Sequence, residues 1–261
     1  MNPSVTLERH GNVALVTISN PAIKNALTMD MAGQLADCCE RIDGDETFGA
    51  VVIRGDAGTF CSGADTNSWR DSYAEDALSD RAYAETDQMY GSFVRVGKLR
   101  VPTIAAVRGA AVGAGLNLAL ATDLRIVSSS ARLLAGFLRA GIHPGGGFFT
   151  ILSRLAGREA AAGMGLFSDE IDGDRARDLG LAWRSVPDGE VEATALEMAG
   201  RIAADPLLAT RVVRSFRLET SDQPLSWPVA LELERGVQLW TQNRRLNRLA
   251  ASDRAEAASH D

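Results

Sequence analysis

A chain of 261 residues with 46% hydrophobic content can bury a sizeable core in one large domain, with or without a helical appendage. Its formal net charge of −7 argues against a nucleic-acid partner, because such proteins carry a basic face. The polar start MNPSVTLERHGN lacks a secretory apolar stretch, the apolar runs stop short of membrane-spanning length, and Cys38, Cys39 and Cys61 cannot all pair; together these predict a reduced, cytoplasmic setting.

In chain order, VTLER and VALVTIS flank His10–Gly11–Asn12 and read as a β-hairpin. After the loop NPAIKNAL, Thr28 is a plausible N-cap for a helix to about Arg41. GAVVIRG reads as a buried strand, followed by the small-residue loop AGTFCSGAD. Residues 69–97 are charged and helical in pattern. PTIAAVRG is a second buried strand; GAAVGAG and an apolar helix follow, and then DLRIVSS as a third strand. GIHPGGGFF is a tight loop before the helix FFTILSRLAG. Further helices are expected near Arg158–Phe167 and Asp172–Gly180, and LAWRSVP is a last short strand. From Glu190 onward the pattern is helical. Buried strands alternating with helices predict an α/β fold with parallel pairing. No fixed-period repeat is visible.

Two loops carry the chemistry. FCSGAD (Phe60–Asp65) and GAAVGAG (Gly109–Gly115) each follow a strand and end in small residues, which let a ligand approach the backbone. One N–H from each could bind a single oxyanion, often the largest electrostatic contribution in acyl chemistry. The start of the second helix adds unpaired N–H groups. Two tight turns against a packed sheet are the competing reading. The spacing is not the G-x-G-x-x-G of dinucleotide folds, which disfavours a nicotinamide-dependent oxidoreductase.

The ordered motifs NPAIKNALT, AVVIRG, FCSGAD, VPTIAAVRGAAVGAG, LALATDLRIVS and GIHPGGG resemble the enoyl-CoA hydratase/isomerase (crotonase) family over roughly residues 5–190. The resemblance implies a crotonase-like spiral of ββα units over 1–190, carrying an acyl-CoA site. It implies a C-terminal helical oligomerisation region over 191–261, and a homotrimer or dimer of trimers. The substrate or ligand would be a coenzyme A thioester, with no other cofactor and no metal, nucleic-acid or membrane partner. Ala64 and Ala114 would be the oxyanion-hole donors. For the CoA moiety, Lys24, Ala26 and Leu27 would lie on the adenine side, with backbone around Ser62, Gly63 and Ala64; Asp65, mainly through local hydrogen bonds, and Gly113 would complete the substrate-binding set.

The sequence departs from the hydratases at their two glutamates. By alignment of the motifs, Asn117 and Phe137 stand in those places. An amide does not titrate near neutral pH and Phe has no proton to give, so neither is a general base. Asn117 could orient a water or bond a substrate group; Phe137 could line the acyl pocket or simply pack. His143, in the GIHPGGG loop, is the acid/base candidate with a suitable ordinary pKa. The carboxylates of the 69–87 segment (Asp71, Glu75, Asp76, Asp80, Glu85, Asp87) read as a solvated helix face. Cys61 reads as a small packing residue. A Lys common two residues after the GAD aspartate in hydratases is Asn67 here, so Arg244, Arg245 and Arg248 become phosphate candidates. The expected function is an acyl-CoA enzyme working through an enolate, and a poor hydratase. The alternative is a protein that binds acyl-CoA without turning it over.

Overall fold

The computed structural model describes residues 2–65, 76–220 and 227–258. β1 (Ser4–His10) and β2 (Val13–Ser19) form the expected hairpin, closing at the pair His10–Val13. The later strands are β3 (Ala50–Gly55), β4 (Thr103–Val107), β5 (Ala110–Val112), β6 (Leu124–Ser128), β7 (Arg132–Leu134), β8 (Glu170–Ile171) and β9 (Arg184–Val186). β1, β2, β3, β4, β6 and β9 make one six-stranded sheet in that order, parallel except for the hairpin; β5, β7 and β8 make a second.

The helices are α1 (Met29–Asp43), α2 (Asp80–Gly97), α3 (Ala114–Leu120), α4 (Phe148–Leu166), α5 (Gly173–Asp178), α6 (Val191–Ala203), α7 (Pro206–Glu219) and α8 (Trp227–Ala258). Thr28 caps α1 as expected, its hydroxyl accepting from Met31 N at 3.2 Å.

The near-continuous apolar runs AVVI and TIAAV are what a sheet covered on both faces requires. Alternate residues divide between the faces. Val51, Ile53, Ala105 and Val107 join α1, α2 and α3 in the main core. Ala50, Val52, Ile104 and Ala106 pack against Val191, Ala195, Ala199 and Ala203 of α6. The alanines recur every four residues, so one face of α6 is flat enough to lie on the sheet. The expected division at residue 190 therefore does not coincide with a break in packing: the first helix beyond it covers a face of the core.

The ββα spiral is present. After β4 the chain enters the second sheet at β5 and then forms α3; after β6 it enters at β7 and later forms α4. The β3 turn meets the second sheet at Cys61, which pairs in parallel with Ala111. The large-sheet strands start at Ala50, Thr103 and Leu124, an uneven spacing that leaves no period in the sequence.

The stretch GAAVGAG is not all loop, since β5 lies within it, and β7 is a strand not anticipated. The break expected between the helix FFTILSRLAG and the one near Arg158–Phe167 is present inside α4, where Gly157 at φ 81° and ψ 170° interrupts the helical backbone. The region expected to serve oligomerisation also packs within this chain: Leu231 and Leu239 of α8 are buried in the main core. α8 is further held to α2 by Arg235, which is 3% exposed, ion-paired to Asp87 at 2.7 Å and stacked 4.2 Å above the Tyr83 ring. Among the described residues no helix is long and apolar enough to cross a membrane.

Candidate active site

The two glycine-rich loops are joined through their backbones. Phe60 N donates to Arg108 O at 2.8 Å, Cys61 N to Ala110 O at 2.9 Å, and Val112 N to Cys61 O at 3.0 Å. This contact permits no side chain at Gly115, where a Cβ would lie 2.2 Å from the Cys61 carbonyl oxygen. Gly113, which precedes α3, has φ 53° and ψ −117°, a conformation that a glycine adopts without strain.

A second pairing sets the orientation of Ala64. Leu27 N donates to Gly63 O and Asp65 N donates to Leu27 O, both at 2.8 Å. This parallel bridge uses the groups on either side of Ala64 and leaves its own N–H outside the pairing. Ala114 is the first residue of α3, so its N–H has no partner within the helix. Among the described residues neither N–H has an acceptor.

Both alanines line one cavity of about 170 Å³, together with Ser62, Gly63, Gly113, Asn117 and Phe137. Seven of the sequence-derived site residues thus converge. Phe137 is 7% exposed and meets Phe148 edge to face, with ring centroids 5.5 Å apart, so it both packs and forms wall. Asn117 is 2% exposed, and its Nδ2 donates to Gly145 O at 2.8 Å.

The structure does not bring the other five to the cavity wall. His143 is half-buried, with Nδ1 donating to Pro144 O at 2.6 Å and its ring against Phe149. The turn that carries it presents Ile142 and Gly145 to the cavity instead. Lys24 is exposed in a left-handed conformation, and its carbonyl accepts from Ser62 N at 3.0 Å. Ala26 and Leu27 are buried, and Asp65 is half-buried. These residues border the first loop through backbone pairing, which leaves them a role outside the cavity.

Of the acidic segment, Asp76, Asp80 and Asp87 are exposed, Glu85 pairs with Arg81, and none of the four lines the cavity. Asn67, Asp71 and Glu75, and the side chains of Arg244, Arg245 and Arg248, lie outside the described residues. Burial pushes the Cys61 thiol up to about 12, which keeps it protonated at neutral pH and excludes it as a nucleophile.

Sequence reasoning missed much of the remaining wall: Met89, Tyr90 and Phe93 from α2, and Gln238 from α8. The α2 residues fall on its apolar stripe, a pattern that reads as ordinary core. Gln238 carries no signal at all; its position depends on α8 folding back over the site. Among the described lining residues there is no carboxylate, imidazole, ammonium or guanidinium.

The enoyl-CoA hydratase/isomerase family model matches residues 8–246. The chain belongs to this family. It is 41% identical over 202 residues to a probable enoyl-CoA hydratase of Mycobacterium tuberculosis, covering 77% of this chain and 75% of that protein. It is 30% identical over 227 residues to the 1,2-epoxyphenylacetyl-CoA isomerase of Escherichia coli, covering 87% and 85%. Among solved structures, an enoyl-CoA hydratase from a Polaromonas species superposes with a TM-score of 0.76 at 27% identity, over 90% of each chain. Crotonase fold and acyl-CoA family membership thus agree with the motifs quoted above.

The contact between the loops yields a direct test. Gly115→Ala forces a methyl group onto the Cys61 carbonyl, and such overpacking costs about 1–3 kcal/mol. Chemical denaturation should show a loss of that order, whereas Gly189→Ala, with open space around its Cβ, should lie within about 0.5 kcal/mol of wild type.

Proposed function

We propose that this family member binds an acyl-CoA thioester with its carbonyl oxygen between the N–H groups of Ala64 and Ala114, and stabilises the enolate formed when a proton leaves the α-carbon. The observation that carries this reading is the pair of N–H groups, one from each joined loop, without acceptors among the described residues and belonging to two alanines that line one cavity. Negative charge grows on the thioester oxygen as the α-proton leaves. Fixed N–H dipoles in a largely apolar site stabilise that charge without reorganising. The acyl group lies against Phe137, the backbone of Ser62, Gly63 and Gly113 borders the thioester, and the CoA moiety runs past Lys24, Ala26, Leu27 and Asp65.

Asn117 and Phe137 occupy the cavity wall where a hydratase of this family would need carboxyl groups, which supports poor hydration of simple enoyl thioesters. His143, set back behind Ile142 and Gly145, is a weaker acid/base candidate than its sequence position suggests. A protein that holds acyl-CoA without turnover is the alternative outcome of the same assays. Three buried free thiols fit a reducing cytoplasm. Assembly as a homotrimer or dimer of trimers is part of the proposal. It is supported by the exposed apolar side chains Leu207, Leu208, Val212 and Phe216 on α7, and sedimentation velocity showing only monomer at micromolar concentration would overturn it.

Incubation with saturated, enoyl and 3-oxo acyl-CoA thioesters, followed by mass spectrometry, separates turnover from retention. For any thioester that is turned over, Ala64→Pro should cost about 3–4 kcal/mol in kcat/KM, because it deletes one donor while the Leu27 pairing uses its neighbours. A folded Ala64→Pro variant with full turnover would remove Ala64 from the site.

Wild type should hydrate crotonyl-CoA very poorly. The double variant Asn117→Glu, Phe137→Glu should exceed it, and each single variant should gain less, since acid–base catalysis typically supplies about 10²–10⁴-fold. Circular dichroism must accompany the kinetics, because a carboxylate replacing Phe137 is costly to ionise. A folded double variant with no gain would overturn the alignment of these two positions.

A further inference from the structure

The motif NPAIKNAL contains two buried asparagines, Asn20 and Asn25, that have no part in the site described so far. Asn25 is 0% exposed, and its whole amide is in use. Nδ2 donates to Asp56 O at 2.8 Å and to Thr59 O at 2.6 Å, and Oδ1 accepts from Asn20 N at 2.8 Å. Carbonyls on one side and an N–H on the other leave only one orientation for the amide. Asn20 completes the knot: its Nδ2 donates to Ala26 O at 3.0 Å, and its carbonyl accepts from Asn25 N at 2.8 Å. Lys24 and Asn25 both have left-handed backbones, with φ 54° and 59°. Such conformations persist only where the surroundings hold them.

The two carbonyls that Asn25 holds belong to the turn after β3, and that turn bears on the second glycine-rich loop. A Cβ at Gly109 would lie 2.4 Å from Gly58 O, and Phe60 N donates to Arg108 O. The neighbours of Asn25 grip the first loop. Ser62 N donates to Lys24 O at 3.0 Å, the Ser62 hydroxyl donates to Ile23 O at 2.9 Å, and Leu27 bonds Gly63 and Asp65 on either side of Ala64. One amide therefore sets the distance between the turn and the segment that carries Leu27. A shift of Leu27 passes straight to Ala64, because both flanking groups are bonded to it. Hydrogen bonds weaken steeply as donor and acceptor lose alignment, so a small tilt there spoils the donor.

We infer that Asn25 is a positioning residue: its side chain fixes Leu27 against the turn after β3 and so aims the Ala64 N–H at the thioester oxygen. Asn25 is fully buried and does not line the cavity, so it acts only through Ala64. This rests on the thioester placement proposed above.

Isotope-edited infrared spectra of butyryl-CoA with carbon-13 in the thioester carbonyl, recorded at saturating ligand, read the donors directly. Two aligned N–H groups should lower the carbonyl stretch of the wild-type complex below its position in water. Asn25→Gly keeps the left-handed backbone and deletes the side chain; Asn25→Asp keeps the shape and removes both donated hydrogens. Each should lose about half of the shift, because one of the two donors is misaligned. For any thioester that is turned over, kcat at saturation should fall about 10²-fold, the scale of a small misplacement at a reacting group. Asn12→Ala, which removes a 3.1 Å tie from the hairpin to Ala203 O, should lower stability and leave the band at its wild-type position.

A folded Asn25 variant with the full wild-type shift overturns the inference and leaves the thioester site intact. So does a folded variant that no longer binds butyryl-CoA, which makes the loop a binding contact rather than a brace for Ala64. An equal loss of shift in Asn12→Ala reduces the effect to general loosening and also overturns it. If neither Asn25 variant folds by circular dichroism, Asn20→Ala, which removes only the tie to Ala26 O, is read by the same rule: a reduced shift supports the inference and an unchanged one overturns it. A wild-type band at its position in water overturns the placement of the thioester oxygen itself.

Discussion

The rest of the site depends on the backbone contact between the two glycine-rich loops. Cys61 and Ala111 pair in parallel, and the Gly115 backbone lies so close to the Cys61 carbonyl that a methyl group would not fit. Because the loops are held by main-chain hydrogen bonds, the groups they present are positioned without side-chain freedom. The first loop is tied on its other side to Leu27, through the residues flanking Ala64. Two neighbours bond away and the residue between them is left with its N–H available. That arrangement leaves an alanine N–H outside the pairing, where the proposed thioester oxygen would meet it.

The chemistry follows from what surrounds these donors. Met89, Phe93, Val112, Phe137 and Ile142 make much of the cavity wall apolar, and an apolar wall strengthens a dipole beside it. In such a site a few fixed polar atoms decide what is bound. In the proposed reading the backbone N–H groups of Ala64 and Ala114 meet a growing negative charge, and Asn117 contributes one oriented amide. Its orientation comes from the glycine-rich turn after His143, so that turn acts on the site through a carbonyl, while its histidine points elsewhere.

The C-terminal region has two structural roles in this chain. α6 presents Ala195, Ala199 and Ala203 to the large sheet and completes the second hydrophobic cluster. α8 returns to the opposite side of the core, where Leu231 and Leu239 are buried and Gln238 closes part of the cavity. Arg235 is buried there at an acceptable cost because its charge meets Asp87 and the Tyr83 ring. The helical tail is thus continuous with the site as well as with the core.

Much of this was legible in the chain itself. Alternating apolar strands and helices announced a parallel α/β fold, because strands buried on both faces must be apolar throughout. The ordered motifs identified the family, and the crowding of Gly and Ala marked both loops, because only small residues allow main chains to touch. The short strands β5 and β7 were hidden, since three residues carry too little periodicity to stand out from a loop. His143 looked well placed in sequence, yet whether a loop side chain faces a cavity or a neighbouring ring depends on backbone direction that composition does not encode. Tyr90 and Gln238 were invisible for a related reason: their helices are distant in sequence, and only tertiary packing decides which turn of each meets the pocket. The orientation of Asn117 belongs to the same class: its residue type is written in the sequence, but the Gly145 carbonyl that turns its amide is a product of the fold.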